Sequence, residues 1–294
     1  MDARMLDDDF FARIAALRRR SGFRPALALY CRTMTEPAQI VWPTHKMLNQ
    51  FGRYVVSFML IHNDYAWRHH RGPRPTLTAL QAMVVSSGRQ TAAFVSTLKA
   101  ARFITVEADR EDARIKLLKA APALVTEIGR SGRLFVAAID MIESRQPGVA
   151  ERLDCTDHLG ELIRRSAAHV LRHGMLIEPF PRVLRFAMRD CGYPLLTAVI
   201  GAHYAATIPD APAAPPLSLR MMAERLRVSR AHIGNLVKEA EEAGWFQITN
   251  RRLTMFDPSL QEEFEHWAAG QMIFYDDLAV AVCEGASDRD RRVV

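Results

Sequence analysis

The chain is poor in cysteine. It has four in 294 residues, Cys31, Cys155, Cys191 and Cys283, and no two of them form a CxxC pair. That spacing excludes a dense disulfide framework, and free thiols in a reducing compartment are the expectation. Long apolar runs are missing too. Stretches such as residues 55–61 fall far short of the roughly 20 residues a membrane-spanning helix needs. The opening residues, MDARMLDDDFF, are acidic and hold no apolar signal core, so a cytoplasmic protein with no membrane partner is expected.

Catalytic motifs are also absent. The sequence has no glycine-rich phosphate loop, no GxSxG elbow and no HExxH helix, so an enzyme reading has no residues to rest on. Asp7, Asp8 and Asp9 sit in a terminal segment, and Glu239, Glu241 and Glu242 lie along a helix. The expectation is a non-enzyme with no cofactor and no metal. His169 and His173 share a helix face at i, i+4, and Cys155 and His158 would complete four zinc-ligand types. Those two flank a helix start and nothing folds them back, so all four read as packing and surface residues. Neither sign of charge dominates. With 39 basic and 33 acidic residues the net charge is +6, which permits an anionic partner only where the basic excess is local.

What the sequence does contain is centred on residues 216–248, PLSLRMMAERLRVSRAHIGNLVKEAEEAGWFQI. Ser218 is placed to cap a helix, because its hydroxyl can accept from free N–H groups of the first turn. Leu219, Met222, Ala223 and Leu226 follow at helical spacing as one buried face. Ser229 can cap a second helix, whose Ile233, Leu236, Val237 and Ala240 recur at i, i+3, i+4, i+7 and should bury against the first. Gly244 suits a left-handed C-terminal position. Residues 245–248 are aromatic and β-branched and predict a strand. A hairpin over residues 249–256, TNRRLTMF, should follow, turning at Asn250-Arg251-Arg252. These residues resemble a winged helix-turn-helix, with residues 249–256 as the wing. Opposite the buried face point Ala231, Asn235 and Lys238, flanked by His232 and Gly234, with Ser229 and Arg230 at the N-terminal tip. A recognition helix reads base edges with its N-terminal residues. Asn235 suits adenine, and Arg230, Lys238, Arg251 and Arg252 suit phosphates.

The same pattern occurs twice. A constant offset of 142 residues takes Leu77 onto Leu219, Ser87 onto Ser229, Phe94 onto Leu236, Val95 onto Val237, Ala101 onto Ala243 and Phe103 onto Trp245. Residues 75–106 therefore form a first copy of the module, and a repeated module changes the expected fold. Thr76 lies where Ser218 caps. The outward face of the first copy carries Arg89, Gln90, Ala93 and Ser96, with Arg89 suited to guanine and Gln90 to adenine. Its wing should pair residues 103–107 with 115–118 through the loop ADREDAR, where Arg110 and Arg114 are available for phosphate or minor-groove contacts. The copies differ at two positions. Arg102 stands where the second has Gly244, and Ala93 stands where it has Asn235.

Helices are expected around both copies. Residues 1–20, 24–34 and 45–71 read as helical, the last with Leu48, Phe51, Val55, Phe58, Met59 and His62 inward. Residues 122–143 and 258–283 follow the two wings, with Ile142 among the inward residues of the first. Residues 156–173 form a connecting helix with Val170 and Leu171 inward. The predicted fold is mainly α with small β-wings (α+β), two winged helix-turn-helix modules in pseudo-two-fold arrangement joined by a helical region. The boundaries are an N-terminal helical segment at 1–44, the first module at 45–145, a helical connector at 146–192, the second module at 193–283 and a flexible tail at 284–294.

This layout resembles a MarR-type regulator dimer fused into one chain. The resemblance implies binding of double-stranded DNA, transcriptional control and a nucleoid-associated location. Because the two outward faces differ, it implies an asymmetric site. A monomer acting as a pseudo-dimer is expected, with a homodimer left open. Two alternatives stand beside this reading: a plasmid-type replication initiator, and a winged-helix scaffold protein of chromosome segregation. A small-molecule effector of unknown identity is a further expectation, with Trp42, Phe51, Trp67 and Phe135 as pocket-lining candidates.

Overall fold

The computed structural model describes residues 8–36, 48–70, 72–209 and 211–291. It is mainly helical with two small antiparallel sheets of two strands each. The chain divides into two compact units, each assembled from separated segments. One comprises residues 1–51, 138–144 and 176–273; the other comprises 52–137, 145–175 and 274–294.

The first unit begins with α1 (Asp8–Arg18) and α2 (Phe23–Thr35). It continues with α9 (Pro181–Ala187), α10 (Gly192–Thr207), α11 (Leu219–Leu226), α12 (Arg230–Glu242), β3 (Phe246–Thr249), β4 (Arg252–Phe256) and the first half of α13 (Pro258–Arg291). α10 packs along α2, burying Phe23, Leu27 and Tyr30 with Leu196, Val199 and Ile200. Gly201 faces Cys31 across this packing, where an added Cβ would lie 3.5 Å from the cysteine Cβ, at ordinary van der Waals distance. A buried acid is held in this core. Glu265 accepts hydrogen bonds from Arg24 Nε at 2.9 Å, Tyr204 Oη at 3.0 Å and Gln261 Nε2 at 2.8 Å. A buried charge is tolerable only when paired and hydrogen-bonded in this way.

The second unit holds α3 (Phe51–His70), α4 (Leu77–Gln81), α5 (Gly88–Ala100), β1 (Ile104–Ala108) and β2 (Lys116–Ala120). These are followed by α6 (Pro122–Glu143), α7 (Val149–Arg152) and α8 (Thr156–His173). α3 is buried on several faces, from Val56 through Ile61 and at Asn63, Asp64 and Tyr65. Its Asp64 accepts from Arg68 Nε at 2.7 Å and from the backbone N–H of Ala120 at 2.8 Å, which ties β2 to the helix. Gly160 of α8 lies against the Tyr65 ring, where any Cβ would clash.

Several sequence expectations are corrected. α3 starts at Phe51, and Phe51, Val55 and His62 are only half-buried, while burial in the middle of the helix covers more than one stripe. Leu219 is 42% exposed and Leu171 46% exposed. Leu219 opens its helix, before the neighbouring helix can cover it. Leu171 lies in the last turn of α8, and Val170 and Ile142 are half-buried. α13 continues past Cys283 to Arg291, so residues 284–291, read as a tail, are helical. The residues proposed to start a helix at His45, and Trp42, lie outside the described residues.

Candidate nucleic-acid interface

The face centred on α12 is built from local sequence signals. Ser218 accepts from the Met221 N–H at 3.0 Å and Ser229 from the His232 N–H at 3.1 Å, so both helices are capped as their sequences require. Arg227 (φ 57) takes the left-handed conformation between them. Ile233, Leu236, Val237 and Ala240 are buried, which fixes the rotation of α12. Gly244 ends the helix region at φ 71. The β3–β4 hairpin then turns on Asn250 (φ 52) and Arg251 (φ 65). Two consecutive positive φ values make a type I′ turn, which matches the twist of the strands. Thr254 is the extra residue of a bulge between the pairs Ile248–Leu253 and Gln247–Met255. Two ties lock the hairpin in place: Ile248 N–H donates to Glu241 Oε1 at 2.9 Å, and Leu217 N–H donates to the Arg251 carbonyl at 3.0 Å.

Packing leaves Arg230, Ala231, Asn235 and Lys238 exposed on α12, and Arg251 and Arg252 exposed on the hairpin. A groove of about 910 Å³ lies among α11, α12 and the hairpin, and Arg220, Arg230, Lys238 and Arg251 border it. Two of these cations are partly spent. Arg220 pairs with Glu224 at 2.8 Å, and Lys238 lies 3.7 Å from Glu242. Both are exposed i, i+4 pairs of the kind that exchange readily with solvent or another anion.

Three residues of this face have partners within the fold. His232 is half-buried, with Nε2 2.8 Å from the Asp190 carbonyl oxygen, so it anchors the start of α12 to the turn before α10. Ser229 uses its hydroxyl as a cap. Gly234 faces Leu219, whose Cδ1 would sit 3.8 Å from an added Cβ, an ordinary van der Waals contact.

The corresponding face of the other unit is built on α5. Ser87 and Gln90 form a full capping box, in which the Gln90 carbonyl oxygen accepts from the Ser87 N–H. The capping box removes that oxygen of Gln90 from base recognition. The Ser87-x-x-Gln90 spacing is a legible sequence signal for this. Ser96 Oγ donates to the Ala92 carbonyl at 3.0 Å. Arg89, Gln90, Ala93 and Ser96 are all exposed, and α5 contains no acidic residue. Arg102 occupies φ 59, the same left-handed conformation as Gly244. The backbone turn is thus preserved although the residue changed.

The β1–β2 hairpin pairs Ile104 with Ala120 through Ala108 with Lys116, slightly later than the sequence suggested, and the Leu118 N–H donates to the Pro75 carbonyl, just before α4, at 2.7 Å. Its tip is acidic as well as basic. Asp109 accepts from the N–H groups of Glu111 and Asp112 at 2.9 and 3.1 Å, and those bonds, with Arg74 alongside, hold its carboxyl below the usual range. Arg114 donates from Nε and an Nη to Asp112 at 3.0 and 2.9 Å, which lowers the Asp112 carboxyl in turn. Arg114 is thus paired with Asp112 within the loop although its side chain is exposed, and Arg110 is exposed at the tip.

Among the described residues no group of three or more His, Cys, Asp or Glu side chains is arranged to hold a metal ion, and no helix is long and apolar enough to cross a membrane. His169 meets the Phe274 ring edge-on at 4.9 Å between centroids, and burial pushes its ring pKa down. His158 Nδ1 meets the Arg152 carbonyl at 2.8 Å. Of the aromatic residues considered for a pocket, Phe135 is buried in the core against Tyr275, and Phe51 and Trp67 are half-buried. No family model, no curated protein and no solved structure matches this chain.

Proposed function

We propose that this chain is a sequence-specific double-stranded-DNA-binding transcriptional regulator, acting through two non-identical winged-helix modules on one asymmetric site. In this reading α4–α5 with the β1–β2 wing is the first module, and α11–α12 with the β3–β4 wing is the second. The layout resembles a MarR-type dimer fused into one chain.

The observation that carries the reading is Arg251. It sits at φ 65 in a two-residue turn where glycine is the relaxed choice, and its side chain is exposed. A bulky residue in a left-handed conformation costs about 1–2 kcal/mol, and such strain is retained where a side chain is needed. Beside it, α12 presents Arg230, Asn235 and Lys238 on a face left free of packing. The second module is accordingly the principal reader. The first contributes Arg89, Gln90 through its amide nitrogen, and Arg110.

The test is equilibrium binding of the intact chain to duplex DNA at several salt concentrations. The reading expects affinity to fall steeply with salt, because each phosphate neutralised releases condensed counterions. Absence of duplex binding even at low salt would refute it.

A further inference from the structure

α12 is held along two flanks. At about 100° per residue, its buried stripe of Ile233, Leu236, Val237 and Ala240 lies opposite the exposed stripe of Ala231, Asn235 and Lys238. Gly234 and Glu241 lie on one flank between these stripes. They meet neighbours in the adjoining helix and hairpin, Leu219 and the Ile248 N–H. His232 and Glu239 lie on the other flank, almost in line, because seven positions make nearly two full turns. Their partners belong to the corner between α9 and α10. His232 Nε2 is 2.8 Å from the Asp190 carbonyl oxygen, and Glu239 pairs with Arg189. A carbonyl oxygen only accepts, so Nε2 carries the proton and donates.

The corner is a firm support. Cys191 is buried at φ 58. A Cβ at Gly192 would lie 2.1 Å from the Phe186 carbonyl oxygen, so glycine alone fits there. The Cys191 thiol sits 4.0 Å from the Leu226 carbonyl oxygen, at the end of α11. From α9, Phe186 packs on Trp245 at 5.2 Å between ring centroids, and the Arg185 guanidinium lies 5.5 Å from the centre of the same indole. The corner and α9 thus touch the end of α11, two points of α12 and the start of the hairpin.

The other copy uses these positions differently. The 142-residue offset takes His232 onto Gln90 and Glu239 onto Thr97. Both are exposed and bond within their own helix region. Gln90 closes the capping box with Ser87, and Thr97 Oγ1 donates to the Ala93 carbonyl at 2.9 Å.

We propose that His232 and Glu239 are positioning residues for DNA recognition. Clamped to the α9–α10 corner, they fix the rotation of α12 about its own axis, so that Asn235 meets one base edge. They set sequence discrimination without touching DNA themselves. This rests on the function proposed above. Asn235 lies about 60° around the helix from the clamped flank. With that flank released, α12 can rock on its buried stripe, and Asn235 swings sideways. A base contact must be held to within about 0.5 Å and 10–20°. The short asparagine cannot follow such a movement, whereas long lysine and arginine side chains on phosphates can.

The experiment is competition binding by the intact chain between two duplexes of equal length. One is the duplex most enriched by the wild type from a random pool, and the other has randomised sequence. The ratio of the two affinities is read, because phosphate contacts act on all sequences alike and cancel. His232→Ala should lower the ratio roughly five-fold or more, with affinity for the randomised duplex unchanged. His232→Gln keeps a donor at similar reach and should restore most of it. Arg189→Ala should lower the ratio a few-fold and blur the same base positions. Its melting temperature should barely change, since an exposed ion pair adds little stability, so it carries the test where His232→Ala does not fold. A wild-type ratio in the folded variants would overturn the positioning role. So would a loss confined to His232→Ala and to one base position, which would mean that the imidazole reads a base itself. A wild type that binds no duplex, or prefers none, would refute the proposed function and the positioning role with it.

Discussion

Arg102 and Gly244 occupy equivalent positions of the two repeats and share one backbone conformation, at φ 59 and φ 71. Each follows a helix and turns the chain into a strand, and the identity of the residue matters less than the left-handed turn it must make. A Cβ added at Gly244 would meet nothing within 4 Å. Gly244→Ala should therefore cost about 1 kcal/mol from backbone strain alone, measured by urea denaturation. An unchanged midpoint would show that the hairpin relaxes without it.

Arg251→Gly separates stability from function. Glycine adopts the positive φ of this turn without strain, and the Arg251 carbonyl bond to Leu217 N–H needs only the backbone. Stability should stay level or rise by up to about 1 kcal/mol, while duplex affinity falls and its salt dependence becomes shallower. A loss of stability without loss of affinity would refute the role given to this side chain.

The β1–β2 hairpin, read as the wing of the first module in the proposed function, should respond in the opposite sense. Asp112→Asn keeps an oxygen for the Arg114 backbone N–H but removes the charge that holds the Arg114 guanidinium. Duplex affinity should rise roughly two- to five-fold at low salt, with a steeper salt dependence as one more cation reaches the phosphates. No gain on filter binding would mean that this wing stays away from DNA.

Acid sensitivity should trace to Glu265. Burial raises its pKa, but hydrogen bonds from Gln261, Arg24 and Tyr204, with the Arg24 charge, outweigh that and leave it below the ordinary value of 4.5. A depressed carboxyl contributes stability that is complete above the unfolded-state pKa and is lost as pH falls through the folded-state value. Melting temperature should thus drop below about pH 4.5. Glu265→Gln should be less stable at neutral pH and flatter across that acid range. A parallel drop in both proteins would place the acid sensitivity elsewhere.

Much of the fold was legible because its signals are local. Ser218, Ser229 and Thr76 cap helices as their positions require, and the inward residues of α12 follow from periodicity. The repeat was legible because the apolar pattern recurs without a gap. The misses have two causes. Some local signals carry two properties: the loop ADREDAR holds beside its arginines the aspartate that pairs with Arg114, and Gln90 completes a capping box with Ser87 while remaining exposed. Others are set by tertiary structure. The His232–Asp190 contact joins residues 42 apart, and the enclosure of α3 depends on which helices surround it.

The most direct test of the central claim is selection of bound sequences from a random duplex pool by the intact chain, beside an Arg230→Ala/Asn235→Ala variant. The proposed function predicts a non-palindromic motif for the wild type. In the variant the part of the motif read by α12 should be lost, since each bidentate base contact discriminates by about 1–3 kcal/mol. No enriched sequence, or the same motif from both proteins, would contradict it.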